Sequence, residues 1–130
     1  MENTQVPKNA ISWFEISATD ITRAKSFYEK VFDTKLHEMS LPTGLKMALF
    51  PVESGGVGGA ISEHAEFYHP SHQGSLVYLN ANPDLQEKLD RVEGAGGKVI
   101  MPKTQISEEH GFMALFEDSE GNRVAFHSDK

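Results

Sequence analysis

Two βαβββ modules in one α+β domain are the architecture expected of this chain, on three observations. The order strand, helix, strand, strand, strand occurs twice in succession. The tetrapeptide Met47-Ala48-Leu49-Phe50 returns as Met113-Ala114-Leu115-Phe116 at the same place in each half, and it counts because the elements around it match too. A length of 130 residues, 38% of them hydrophobic, holds the core of one domain or of two small halves that share it. The modules are expected at residues 10–62 and 74–128.

Residues 1–9 are polar, hold Pro7 and read as a loose arm. From Ile11 to Ser17 the side chains alternate between two faces with the period of a strand. Thr19 and Asp20 are helix-capping types, and Ala24, Phe27, Tyr28 and Val31 follow at helical spacing. Asp33 opens a turn. Strands are expected at Lys35 to Met39 and Leu45 to Phe50, and the glycines from Gly55 to Gly59 precede a short one at Ala60 and Ile61. That glycine group has no lysine and serine or threonine after it, so it is no phosphate loop; a close backbone approach or sharp turn explains it.

Glu63 to Gln73 is polar and reads as a linker. Leu76 to Ala81 is the next strand. Asn82 and Pro83 start a helix, with proline at its first position, and Leu85, Leu89 and Val92 mark its buried face. Gly94, Gly96 and Gly97 stop it. A strand from Lys98 to Met101 closes at Pro102, and Phe112 to Phe116 and Arg123 to His127 complete the set. Asp118 and Glu120 are explained as residues of the turn before Gly121.

Composition excludes several classes. Without cysteine there is no disulfide, thiolate metal site or cysteine nucleophile. No apolar run approaches the ~20 residues that span a bilayer. A polar stretch from Met1 to Ala10 without an apolar signal core points to a cytoplasmic protein. The net charge of −7 argues against nucleic acid, whose phosphates need a basic face.

The segment Asp20-Ile21-Thr22-Arg23-Ala24-Lys25-Ser26-Phe27-Tyr28-Glu29-Lys30-Val31-Phe32 resembles the first helix of the vicinal oxygen chelate superfamily, which includes glyoxalase I, extradiol dioxygenases and bleomycin resistance proteins. Gly96-Gly97-Lys98-Val99 and Phe116-Glu117-Asp118-Ser119-Glu120-Gly121-Asn122-Arg123 resemble its second-half signatures. The resemblance implies paired modules whose curved sheets form an open, glyoxalase-like cavity, in a homodimer. Open sheets also leave edges and apolar surface that one small chain covers poorly. In the metal-dependent members, two histidines and two glutamates, or a close variant, come from the first and fourth strands of each module.

Aligning the halves through the shared tetrapeptide pairs Ala60 with Ala125 and Ser62 with His127. The resemblance then puts the ligand positions at Trp13, Ala60, Tyr78 and Ala125, and a one-residue slip would substitute Val77 for Tyr78. None is a usual metal ligand, so neither a metal nor another cofactor is expected. His64, Glu66, His69 and His72 form the one dense group of metal-binding types, and a solvated linker explains them.

With Phe14 and Ile16 under the helix, Trp13 and Glu15 turn inward; with Leu79 and Ala81 there, Tyr78 and Asn80 do. Glu15 beside Trp13 is expected to be desolvated, which would raise its pKa toward that of a general base; the plain alternative is a contact with arginine or water. Trp13 and Tyr78 offer aromatic faces to a planar ligand, or else pack together. His127 faces the same cavity, where it would pair with Glu15, or is a partly exposed strand residue. The leading expectation is a protein that binds a small organic molecule through Trp13, Tyr78, Asn80 and His127, with Glu15 as the catalytic group of any metal-free lyase or isomerase chemistry. A metal-dependent lyase or dioxygenase is one alternative, and a sequestering, resistance-type binding protein is another.

Overall fold

The computed structural model describes residues 6–130, so the first five residues of the polar arm, and the leader reading that rests on them, lie outside the described residues. The first unit comprises β1 (Trp13–Ser17), α1 (Ile21–Phe32), β2 (His37–Ser40), β3 (Lys46–Leu49) and β4 (Gly58–Glu63). The second comprises β5 (Tyr78–Asn80), α2 (Leu85–Val92), β6 (Lys98–Ser107), β7 (Gly111–Glu117) and β8 (Arg123–Ser128). Each unit forms a four-stranded sheet, in the orders β1-β4-β3-β2 and β5-β8-β7-β6. First and last strands pair in parallel and the rest antiparallel. The repeated element order is therefore a repeated βαβββ topology, with the repeated tetrapeptide at the third strand of each unit, Phe50 just past the end of β3 and Phe116 within β7.

Local chemistry sets the element ends. The Asp20 side chain accepts the Arg23 N–H and starts α1, whose residues 21, 24, 27, 28 and 31 are buried. Asp33, at φ 52°, ends it in a left-handed cap whose N–H reaches the Glu29 carbonyl. Pro83 does not open α2. Asp84 is its cap, since its carboxylate accepts the Gln86 N–H at 2.9 Å, which a proline ring cannot do. Nor does Pro102 close β6, which runs on to Ser107 with register shifts along its length. As the edge strand of its sheet, β6 tolerates a residue that cannot donate. The strand expected at Ala60 and Ile61 begins earlier, at Gly58. The Phe14 ring lies where any Cβ on Gly59 would go, and this contact is the close approach expected of the glycine group.

One core joins the two sheets through the helices. The Tyr28 ring lies 5.6 Å from Phe50 and 6.4 Å from Phe116, so α1 packs against both units at once. Phe116 stacks on Phe126 at 4.3 Å. Fully burying each such ring stabilises the fold by roughly 1.5–3 kcal/mol. Among the described residues, the opposite face of each sheet carries no helix. In register these open faces hold Glu15, Ala60, Leu49 and His37 on one sheet, and Tyr78, Ala125 and Leu115 on the other.

The turn expected merely to connect β7 and β8 also ties the units together. The Glu120 carboxylate accepts the Thr19 and Asp20 N–H groups at 2.9 Å each and pairs with Arg23 Nε at 2.6 Å. Tyr28 donates its hydroxyl to Asp118 at 2.8 Å, and the Asn122 amide donates to the Ser17 carbonyl at 2.7 Å.

Candidate functional site

Phe14 and Ile16 pack on the core side of β1, which places Trp13 and Glu15 on its open face as the alternation requires. The expected desolvation of Glu15 does not occur. Its side chain is exposed, because the helices cover only the other face of the sheet. It is nevertheless held: Trp13 Nε1 donates to one carboxylate oxygen at 3.2 Å and the Tyr68 hydroxyl to the other at 2.5 Å. That hydrogen bond, with partial burial and the Glu15 charge, raises the pKa of Tyr68. Tyr68 lies in the segment read as a solvated linker, and no periodicity there could have marked it.

On the second sheet Tyr78 and Asn80 are exposed on the open face and His127 is half-buried. His127 does not pair with Glu15. Its Nε2–H donates to the His110 carbonyl at 2.6 Å, within its own unit. Trp13 and Tyr78 do not pack together as a ring pair either; they stand 42% and 47% exposed on different sheets. Trp13 and Tyr78, both expected as ligand positions, are not at equivalent places in the two units. Ala60 pairs with Glu15 and Ala125 with Tyr78, so Glu15 is the counterpart of Tyr78, and Trp13 lies opposite Gly58.

Two clefts lie where the units meet, and neither is lined by Trp13 or Tyr78. One, of about 130 Å³, is polar and bordered by Glu15, His69, Asn122 and Arg123. The other, of about 520 Å³, lies behind β1 on its helix side. The Ser62 hydroxyl, buried on the same face as Glu15, has no hydrogen-bond partner among the described residues.

The histidines of the linker are spread among separate contacts. His64 and His69 donate to the Thr43 and Glu66 carbonyls, while His72 meets Glu117 at 2.9 Å. Among the described residues, no three imidazole or carboxylate groups gather closely enough to hold a metal ion.

The sequence matches the model of the Glyoxalase/Bleomycin resistance protein/Dioxygenase superfamily over residues 10–126. The chain belongs to this superfamily. The superfamily fold recurs in many solved structures. A glyoxylase/bleomycin resistance protein/dioxygenase domain from Frankia sp. EAN1pec is 15% identical, with a TM-score of 0.70, the match covering 95% of this chain and all of that one. The hypothetical protein SA1046 from S. aureus is 19% identical at a TM-score of 0.64, with 94% and 95% covered. A glyoxalase I mutant from Zea mays is 14% identical at 0.69; it covers 92% of this chain, which spans only 44% of the maize chain. No match is found among the curated proteins.

Superfamily membership supports a protein that binds small molecules. It raises the question of a metal, and the donors present do not fit one. The strand positions implied by the resemblance offer Ala60, Tyr78 and Ala125, and the corrected register adds a single carboxylate, Glu15, in place of Trp13. One carboxylate is too few for a zinc, nickel or iron site. Among the described residues no helix is long and apolar enough to cross a membrane.

Proposed function

We propose that this superfamily member binds a small organic molecule against the open face of β1, with Glu15 as the group that engages it. The observation that carries this reading is the hold on Glu15. An exposed carboxylate rarely keeps one orientation, yet here an indole N–H and a phenol hydroxyl fix both its oxygens. So held, it can accept from a hydroxylated or cationic ligand stacked on Trp13. It can also take a proton from a carbon next to a carbonyl. The C–H electron pair would then form the C=C bond of an enolate as the carbonyl π pair moves to oxygen. In an isomerase the proton returns at the neighbouring carbon, and in a lyase the enolate re-forms the carbonyl and expels a leaving group from the carbon beyond. Tyr78, Asn80 and His127 form the corresponding wall on the second sheet. Since both aromatic rings stand half-exposed in one chain, we assign the closing of the site to a second copy in a homodimer.

Trp13 is the only tryptophan, so its fluorescence reports on this face directly. A library of small hydroxylated and cationic molecules should contain members that quench it saturably. Glu15→Gln should abolish that binding while leaving the melting temperature nearly unchanged or raised. A large loss of stability with affinity intact would make Glu15 a structural partner and remove it from the site. A second reading, capture without turnover, is favoured by the same two hydrogen bonds, because both carboxylate oxygens are already occupied as acceptors. NMR of a bound molecule over time separates the two: chemical change means catalysis, and an unaltered ligand means sequestration.

A further inference from the structure

The cleft of about 520 Å³ behind β1 shares Asn80 with the site just proposed, but Trp13, Glu15, Tyr78 and His127 do not line it. Its volume falls in the range of small-molecule pockets. The wall is aromatic: Phe50 lies 5.6 Å from Phe14 and 6.2 Å from Phe32, ring centre to ring centre, the second pair nearly perpendicular. The Phe14 ring packs directly on the Gly59 backbone, so a side chain at that position would push the ring out of the wall.

Thr34, Asn80, Asn82 and Lys88 are the polar side chains of the lining, and the two asparagines share one character. The Asn80 carbonyl oxygen already accepts the Asn82 N–H at 3.0 Å, and the Asn82 side-chain oxygen accepts the Asp129 N–H at 2.7 Å. Backbone donors thus use both amide oxygens and fix both amide planes, which leaves the two NH₂ groups as donors. Lys88, projecting from α2, reaches the Asn82 backbone carbonyl, at 3.4 Å, and no other acceptor among the described residues. Among the described residues no carboxylate lines the cleft, in a chain whose net charge is −7. A lysine and two amide donors at the mouth of a phenylalanine-walled cleft select an acceptor-rich, anionic head on a flat apolar body.

We propose that this cleft is a second binding site, for a planar aromatic carboxylate whose ring lies among Phe14, Phe32 and Phe50 and whose carboxylate meets Lys88, Asn80 and Asn82. The probe is 1-naphthoate, titrated into the full-length ¹⁵N-labelled protein and read on the side-chain amide signals of Asn80 and Asn82. Those signals should move saturably. The neutral 1-naphthalenemethanol should bind more weakly. Lys88→Met should weaken naphthoate about tenfold, the loss of one charge-assisted hydrogen bond, and leave the alcohol within about twofold. Retained alcohol binding would also show that the variant folds. Glu15→Gln and Tyr78→Ala should leave naphthoate binding unchanged, which separates this site from the open face. Absence of amide shifts, equal naphthoate affinity in Lys88→Met, or a matching loss in the Glu15 or Tyr78 variant would each overturn the assignment.

Discussion

The Tyr28 hydroxyl is fully buried and donates to Asp118. Burial, together with the charge of Asp118, pushes the phenol well above its ordinary 10. Burial raises the Asp118 carboxyl as well, against donors from Asn122, Tyr28 and Glu120. Removing one donor from so enclosed a carboxylate is costly. Tyr28→Phe should destabilise the protein by about 1.5–3 kcal/mol, seen as a lower urea midpoint with an unchanged slope. The burial of Tyr28 was legible from helical spacing. Its partner was not, because a polar contact across 90 residues leaves no periodic trace in the chain. Glu15 shows the reverse case. Alternation along β1 set its face, but exposure depends on what lies opposite, and among the described residues Tyr68 reaches that face without burying Glu15.

Elements were legible where a side-chain period or a cap defines them: both helices, and the eight strands in their order. Errors fall where a neighbouring element decides. Pro102 reads as a strand end only if β6 has partners on both sides, and α2 starts two residues after the proline because Asp84 supplies the cap. The β7–β8 turn looked like punctuation, yet its Glu120 caps the start of α1. Burial works to raise the Glu120 carboxyl, but hydrogen bonds from Arg23, Asp20 and Thr19 outweigh it and lower the pKa from 4.5 to about 2. A carboxylate lowered by folding stabilises the native state above its unfolded pKa, and that contribution fades as pH falls through the folded one. Asp118, shifted upward, works in the opposite sense. The melting temperature should therefore fall less steeply between about pH 4.5 and 2 in Glu120→Gln than in the unaltered protein, as scanning calorimetry at stepped pH would show.

At the scale of the whole molecule, both helices are spent on one shared core, which leaves two sheet faces without cover. Trp13, Tyr78 and Met39 are each at least 40% exposed, and their burial would favour association. Light scattering should give a mass near twice 14.4 kDa, whereas a monomer at every concentration would argue against a site shared between copies. The two-module plan could be read from the chain because it is written twice. How the open faces are closed could not, since no periodicity records contacts between molecules. The acidic turn has one more consequence, in the order of synthesis. Residues 118–128 are made after everything they grip: the first turn of α1, Tyr28 and, through Ser128, the start of α2. A growing chain can pair β1 with β4 early, but the aromatic side of α1 has no second wall until β7 and β8 emerge. The first unit must therefore wait, half-assembled and with its phenylalanines open to other chains, until the second has been translated.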